Sequence, residues 1–271
     1  MANPQLLKII ARLTQLIPVE RIYLSTIEYD GTLFKELCIL LPSSAKMHLI
    51  EARPLVSMVM TDYPEYRFRM FYVQEIKRAL QYGSMVFYTI CREENLVYQS
   101  ERWATILPTD LTAQSVLKRA KRNFAKEYAI TSSFKDGFQF YLAREDYPLA
   151  AFMIHQVIEL SYRTAELLVI GKEKISHSIR NHQKSMGQYV PKLGQVFNED
   201  DESEASLLSL LDEAYSSVRY EDTYVIDKFQ LNAIANKAEL LEQQIVALYD
   251  LVVAQFKNQC VDASVLRVLI N

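Results

Sequence analysis

The sequence predicts an α+β protein in two parts, an α/β unit over residues 1–105 and an all-helical bundle over residues 106–271. Three observations carry this. Over the first hundred residues, helical patterns alternate with short β-rich runs, the order expected where helices pack on a sheet. From about Leu111 the strand patterns stop and apolar residues recur at i, i+3 and i+4. Short polar connections separate these later segments, as they do between antiparallel helices of a bundle.

Taken in order, NPQLLKIIARLTQLI places Leu6, Ile9, Ile10, Leu13 and Leu16 on one helical face. RIYLSTIEY and KELCILLP read as strands around the turn signal Tyr29-Asp30-Gly31. SAKMHLIEARPLVSMVM is a helix with an expected kink at Pro54. YRFRMFYV alternates polar and apolar as a strand does. VQEIKRALQYG is a helix closed by Gly83. SMVFYTICREENLVYQS reads as a strand or short apolar segment ending in a turn. LTAQSVLKRAKRNFAKEYAI is helical, and KDGFQFYLAR starts another helix. Tyr147-Pro148 opens a long helix, with Pro148 in the first turn where its missing N–H costs little, and Gly171 ends it. ISHSIRNHQKSMGQYV is the next helix. NEDDESEAS is an acidic loop, and Ser203 is the expected N-cap of the helix SLLSLLDEAYSSV. The segment DKFQLNAIANKAELLEQQIVALYDLVVAQF closes the bundle.

Composition excludes several functions. A net charge of −3 and a pI near 5.9 provide no global basic field for nucleic acid or membrane, so such binding needs a local patch. The three cysteines Cys38, Cys91 and Cys260 lie far apart and have no zinc-type spacing, and scattered thiols fit a reducing compartment. The N-terminal helix lacks the apolar core of a secretory signal, and no apolar run approaches the ~20 residues of a membrane span. The expected location is the cytoplasm. No P-loop, HExxH, GxSxG or dinucleotide fingerprint occurs, and neither a cofactor nor a metal is expected.

The segment FMIHQVIELSYRTAELLV, from Phe152 to Val169, poses the main question. Ile154, Val157, Ile158, Ser161, Ala165 and Leu168 form an apolar face, while His155, Glu159, Tyr162 and Glu166 recur at helical spacing on a second face. Packing within the bundle or against a second copy accounts for this pattern. A nucleotide or RNA contact is the alternative. Two faces that require burial predict a homodimer through these helices.

The same residues carry a resemblance. AAFMIHQVIELSYRTAELLVIGKEKISHSI resembles the helix pair of HEPN domains through Ala150, Ala151, His155, Gln156, Glu159, Gly171 and His177. LLDEAYSSVRYEDTYVID resembles the Tyr…Arg-Tyr segment of that family through Tyr215, Arg219, Tyr220 and Tyr224. Together the match covers about Leu111 to Phe256. It implies nucleotide or RNA binding by Arg219, Tyr220, Tyr224, His155, Glu159 and His177, since arginine bonds phosphate and tyrosine stacks on bases.

In many such proteins a nucleotidyltransferase domain comes first, and the opening helix and strand are similar to it in topology. That chemistry needs carboxylates clamping two metals. The corresponding positions hold Ser25 and Thr26 at the Gly-Ser turn, Glu36 and Cys38 at the paired aspartates, and Arg67 and Arg69 at the third carboxylate. A thiol serves Mg²⁺ poorly, so a degenerate, catalytically inactive site is expected. HEPN ribonucleases use an Arg followed by a His four to six residues on. Here Tyr224 follows Arg219, and no histidine occurs after His182. No catalytic residue is therefore assigned.

The leading expectation is a binding protein. An active HEPN ribonuclease, or a residual nucleotidyltransferase of toxin–antitoxin type using Glu36, is the second. A structural or regulatory dimerising protein is the third. Two basic stretches are further candidates for an RNA backbone or a solvated surface: Lys118, Arg119, Lys121 and Arg122 beside Phe124, and Lys174, Arg180 and Lys184 beside His177 and His182.

Overall fold

The computed structural model describes residues 3–29, 32–103, 105–108, 110–220 and 224–262. The side chains of 27–29, 32–34, 218–220 and 261–262 are outside the description. The chain divides into two compact units, 1–116 and 117–271, and the division falls in the sequence of the first turn of a long helix.

The first unit runs α1 (Pro4–Leu16), β1 (Arg21–Tyr29), β2 (Thr32–Leu41), α2 (Leu49–Met60), β3 (Tyr66–Tyr72), α3 (Val73–Tyr82), α4 (Met85–Ile90) and β4 (Leu96–Gln99). The strands form a mixed sheet in the order β3-β2-β1-β4. β1 pairs antiparallel with both β2 and β4, and β2 pairs parallel with β3 across the α2 crossover. Leu37, Ile39, Leu41, Ile22 and Met70 form a core with Leu6, Ile9 and Leu13 of α1 and Ala52, Val56 and Val59 of α2. Strand alternation sends Tyr23, Ser25, Glu36, Cys38, Arg67 and Arg69 to the opposite face.

Local chemistry sets the helix ends here. Glu51 reaches back to the His48 N–H at 2.7 Å at the start of α2. Gly83, at φ 93°, ends α3 in the left-handed conformation that glycine adopts without strain. The apolar segment after Gly83 differs from the strand reading. Ser84 caps the Phe87 N–H and starts the short helix α4, and the strand forms only at Leu96–Gln99.

The second unit contains α5 (Ala113–Ala143), α6 (Tyr147–Val169), α7 (Ile179–Gly187), a 3-10 turn at Pro191–Gly194, α8 (Glu202–Tyr220) and α9 (Lys228–Phe256). Its core includes Phe138, Ile154, Val157, Ile158, Leu208, Leu211, Leu231, Ile234 and Leu241. Two helices expected between Leu111 and Arg144 are one. The Thr-Ser-Ser run does not compete with the helix, because Thr131 and Ser133 return their hydroxyls to the carbonyls of Glu127 and Ala129. Gly137 lies under Met153, whose sulfur is 3.1 Å from where a Cβ would sit, so a glycine inside the helix serves as a packing position.

Other ends are also corrected. The N-cap of α8 is Asp201, whose Oδ1 accepts from the backbone N–H groups of Ser203 and Glu204 at 2.9 and 3.2 Å, and Ser203 lies inside the first turn. The helix read over Ile175–Val190 starts only after its Ser178 cap, leaving 171–178 as a loop. Tyr147 and Pro148 do open α6, and Gly171, at φ 82°, follows its end.

α6 is the central helix. Between Tyr147 and Val169 only Leu167 is exposed. Ile154, Val157, Ile158 and Ala165 on one face and His155, Glu159, Tyr162 and Glu166 on the other are all buried within the single chain. Among the described residues, no helix is long and apolar enough to cross a membrane.

Candidate functional site

The second face of α6 is a buried polar stripe. His155, Glu159, Tyr162 and Glu166 are each 2% exposed or less. Burying such groups is costly unless each finds a partner, and the partners come mainly from the segment after α6. Tyr162 donates to the Leu193 carbonyl at 2.9 Å. Gln183 of α7 donates to the Phe197 carbonyl and accepts from its N–H, at 2.9 and 2.8 Å. Gly187 and Gly194 let the backbone cross itself there, since a Cβ on Gly194 would lie 2.5 Å from the Cα of Gly187.

Farther along the stripe, the Glu166 carboxylate accepts from the Lys174 N–H at 2.7 Å and lies 2.9 Å from Nδ1 of His182. Nε2 of His182 lies 2.9 Å from the Ser176 carbonyl. Carboxylate and carbonyl only accept, so both ring nitrogens must carry hydrogen. Burial disfavours the imidazolium, but the bond to Glu166, its charge and the Ser176 carbonyl outweigh burial and raise the pKa of His182.

His155 is the opposite case. Its Nε2 donates to the His177 carbonyl at 2.8 Å, and its Nδ1 accepts from the Gln156 amide at 3.1 Å. Burial is the main cause that holds its pKa below the ordinary histidine value, which keeps the ring neutral.

These contacts converge on His177, whose side chain is 55% exposed. Its Nδ1 lies 3.2 and 3.3 Å from the two Glu159 oxygens. The Tyr215 ring of α8 stacks on it with centroids 3.8 Å apart and planes 12° apart. The Tyr215 phenol oxygen is 2.9 Å from Nε2. With the rings nearly parallel, that oxygen lies over the imidazole rather than in its plane, so we regard the contact as stacking first. Arg163 binds Glu173 at 2.6 Å and reaches Glu159 at 3.6 Å. Asp212 of α8 accepts from Ser178 Oγ and the Ile179 N–H at 2.9 and 2.5 Å, fixing the end of the loop at the α7 N-terminus. The result is one exposed, oriented imidazole paired with an aromatic ring and held by buried groups.

Residues 113–245 match the HEPN domain family. The match falls on the helical unit and covers the whole polar stripe. No curated protein matches the chain.

Within the HEPN domain, the structure brings His155, Glu159 and His177 together. Tyr224 is elsewhere. It is 9% exposed, its hydroxyl donates to the Leu210 carbonyl at 3.0 Å, and burial raises its pKa. It anchors the start of the α9 approach and has no free ring for a base. The Arg219 and Tyr220 side chains lie outside the described residues. His182 does not belong to a surface basic stretch, being fully buried. Arg180 is held by Glu199 at 2.8 Å. Of the other cluster, Lys118, Lys121 and Arg122 are exposed, while Phe124 stacks on Tyr249 with centroids 3.8 Å apart.

The sequence reading missed the pairing of Glu166 with His182 and the stacking of Tyr215 on His177. A signal was present. Glu159 and Glu166 lie seven residues apart on one helix face, and two histidines follow within a short stretch.

In the first unit, Glu36 Oε2 lies 2.6 Å from Arg69 Nε, with both side chains at most 6% exposed. Burial raises the Glu36 pKa, and the Arg69 charge and hydrogen bond oppose it. Burial pushes the Cys38 thiol up to about 12. The Ser25 hydroxyl, opposite Glu36, is buried without a hydrogen-bond partner among the described residues, while Thr26 is exposed.

Proposed function

We propose that the HEPN domain binds a nucleotide or a stretch of single-stranded RNA at the exposed face built by His177 and Tyr215, and that the first unit is a nucleotidyltransferase-like fold without a working metal site. One observation carries the binding proposal. Two buried groups, His155 and Glu159, each direct a hydrogen bond to a single exposed histidine, one to its backbone and one to its ring. A helix that only needed packing could fill those positions with apolar residues at lower cost. The His177–Tyr215 pair supplies a flat surface for a base. Arg219, late on the same helix as Tyr215, is the proposed phosphate contact.

The inactive-site proposal is supported by Arg69. A carboxylate that holds a metal must be free to do so, and Glu36 is already neutralised by a guanidinium at hydrogen-bond distance. Cys38, a neutral thiol at physiological pH, adds no hard ligand.

The test is equilibrium binding of ATP and of a short oligoribonucleotide to wild type and to Tyr215→Ala. Base stacking on an aromatic side chain is worth about 1–3 kcal/mol, so the variant should bind at least ~5-fold more weakly. Equal affinity, or no saturable binding by wild type, overturns the proposal.

A further inference from the structure

The loop that presents His177 is closed by a buried charge pair. Residues 171–178 connect α6 to α7, and Ile175 at the tip is 96% exposed. Three bonds clasp the loop from below: Lys174 N–H to Glu166, Glu166 to His182, and His182 to the Ser176 carbonyl. Glu166 and His182 are both 0% exposed. The groups facing His182 are Glu166, Glu159 and Tyr162 of α6 and the Ser176 carbonyl of the loop.

A neutral imidazole carries one N–H. Once His182 loses its proton, it can satisfy Glu166 or Ser176 but not both. The unsatisfied acceptor is then buried opposite a lone pair, which is unfavourable. The least costly escape is for the loop to lift at Ser176, the residue next to His177.

We propose that doubly protonated His182 is the positioning residue of the ligand site, locking the 174–178 loop so that His177 is presented correctly, and that ligand affinity falls when this proton is lost. This rests on the binding function proposed above for His177. The sign follows from the geometry. The folded state holds the proton more tightly than the unfolded chain, so the stabilisation is complete below the ordinary histidine pKa of about 6.5 and is lost as pH rises through the higher folded value.

The experiment is an NMR pH titration of the full chain, following the His182 ring nitrogens and the amides of Lys174, Ser176 and His177, with parallel affinities for ATP and a short oligoribonucleotide. Both His182 nitrogens should be protonated at neutral pH. The three loop amides should shift with the His182 midpoint, and affinity should fall roughly 5- to 10-fold across it, the effect of one buried bond. Glu166→Gln should move that midpoint down, and His182→Gln should remove this component of the pH profile. A single neutral tautomer throughout, or loop amides indifferent to the His182 midpoint, overturns the proposal. Binding that persists unchanged across the midpoint overturns it too, leaving the binding function standing. Loop amides that follow His182 with no ligand bound at any pH retain the clasp and overturn the coupling together with the binding function.

Discussion

Replacing Arg69 with methionine removes the cation from the buried pair in the first unit and leaves Glu36, 2% exposed, without its partner. Two losses add. The charge-assisted bond at 2.6 Å is worth roughly 1.5–3 kcal/mol. The stranded carboxylate must then stay charged in a dry site or take up a proton, at ~1.4 kcal/mol for each pKa unit it is driven. Together they reach about 3–5 kcal/mol, the usual cost of breaking a buried ion pair from one side. The pH dependence has a definite sign. Burial already raises the Glu36 pKa, Arg69 holds it down, and the variant should raise it further. A raised folded pKa means stability that is complete below the unfolded value and lost as pH climbs through the folded one. Urea unfolding of wild type and variant should therefore show a small deficit near the ordinary glutamate pKa of ~4.3 and the full deficit at neutral pH. The double substitution Glu36→Gln with Arg69→Met should recover most of it. A deficit below about 1 kcal/mol, or one that does not change with pH, would refute the reasoning that Glu36 and Arg69 hold each other as a buried ion pair.

The remaining predictions concern the HEPN domain. Gly194→Ala should lower stability by about 2 kcal/mol or more in thermal and urea unfolding, since its Cβ would meet backbone at 2.5 Å and backbone cannot yield as a side chain does. Arg219→Ala should weaken nucleotide or RNA binding several-fold, as expected for a charge-assisted bond of roughly 1.5–3 kcal/mol, with the melting temperature nearly unchanged. A lowered melting temperature with unchanged binding would make Arg219 structural. Tyr224→Phe should cost about 1–2 kcal/mol of stability, through the unpaired Leu210 carbonyl, and leave ligand affinity intact.

Much of the architecture was legible because local patterns and packing agree. The alternation in RIYLSTIEY and the periodicity of α6 each point to the element that forms. The readings failed where neighbouring polar residues compete for the same backbone groups. The 111–144 segment reads as two helices until Thr131 and Ser133 return their hydroxyls to the helix, and Ser203 reads as a cap until Asp201 takes the two amides. The apolar run at Met85–Ile90 is too short for periodicity to separate strand from helix, and the Ser84 cap decides it. The candidate site shows the same division. His155, Glu159 and His177 could be gathered because two share a helix face and the third follows in sequence. Tyr215 joins them from α8, 38 residues beyond His177, and no local pattern announces that contact. The polar stripe itself could be read from the spacing, whereas its purpose, to hold down the segment that follows, depends on a chain reversal that spacing does not encode.

The central claim is that His177 and Tyr215 form the ligand face. Backbone and imidazole NMR shifts of the full chain, recorded while ATP or a short oligoribonucleotide is added, test it most directly. The account predicts saturable shifts centred on residues 174–178 and Tyr215, and their loss in His177→Ala. Shifts that saturate elsewhere, or none at millimolar ATP, would contradict it.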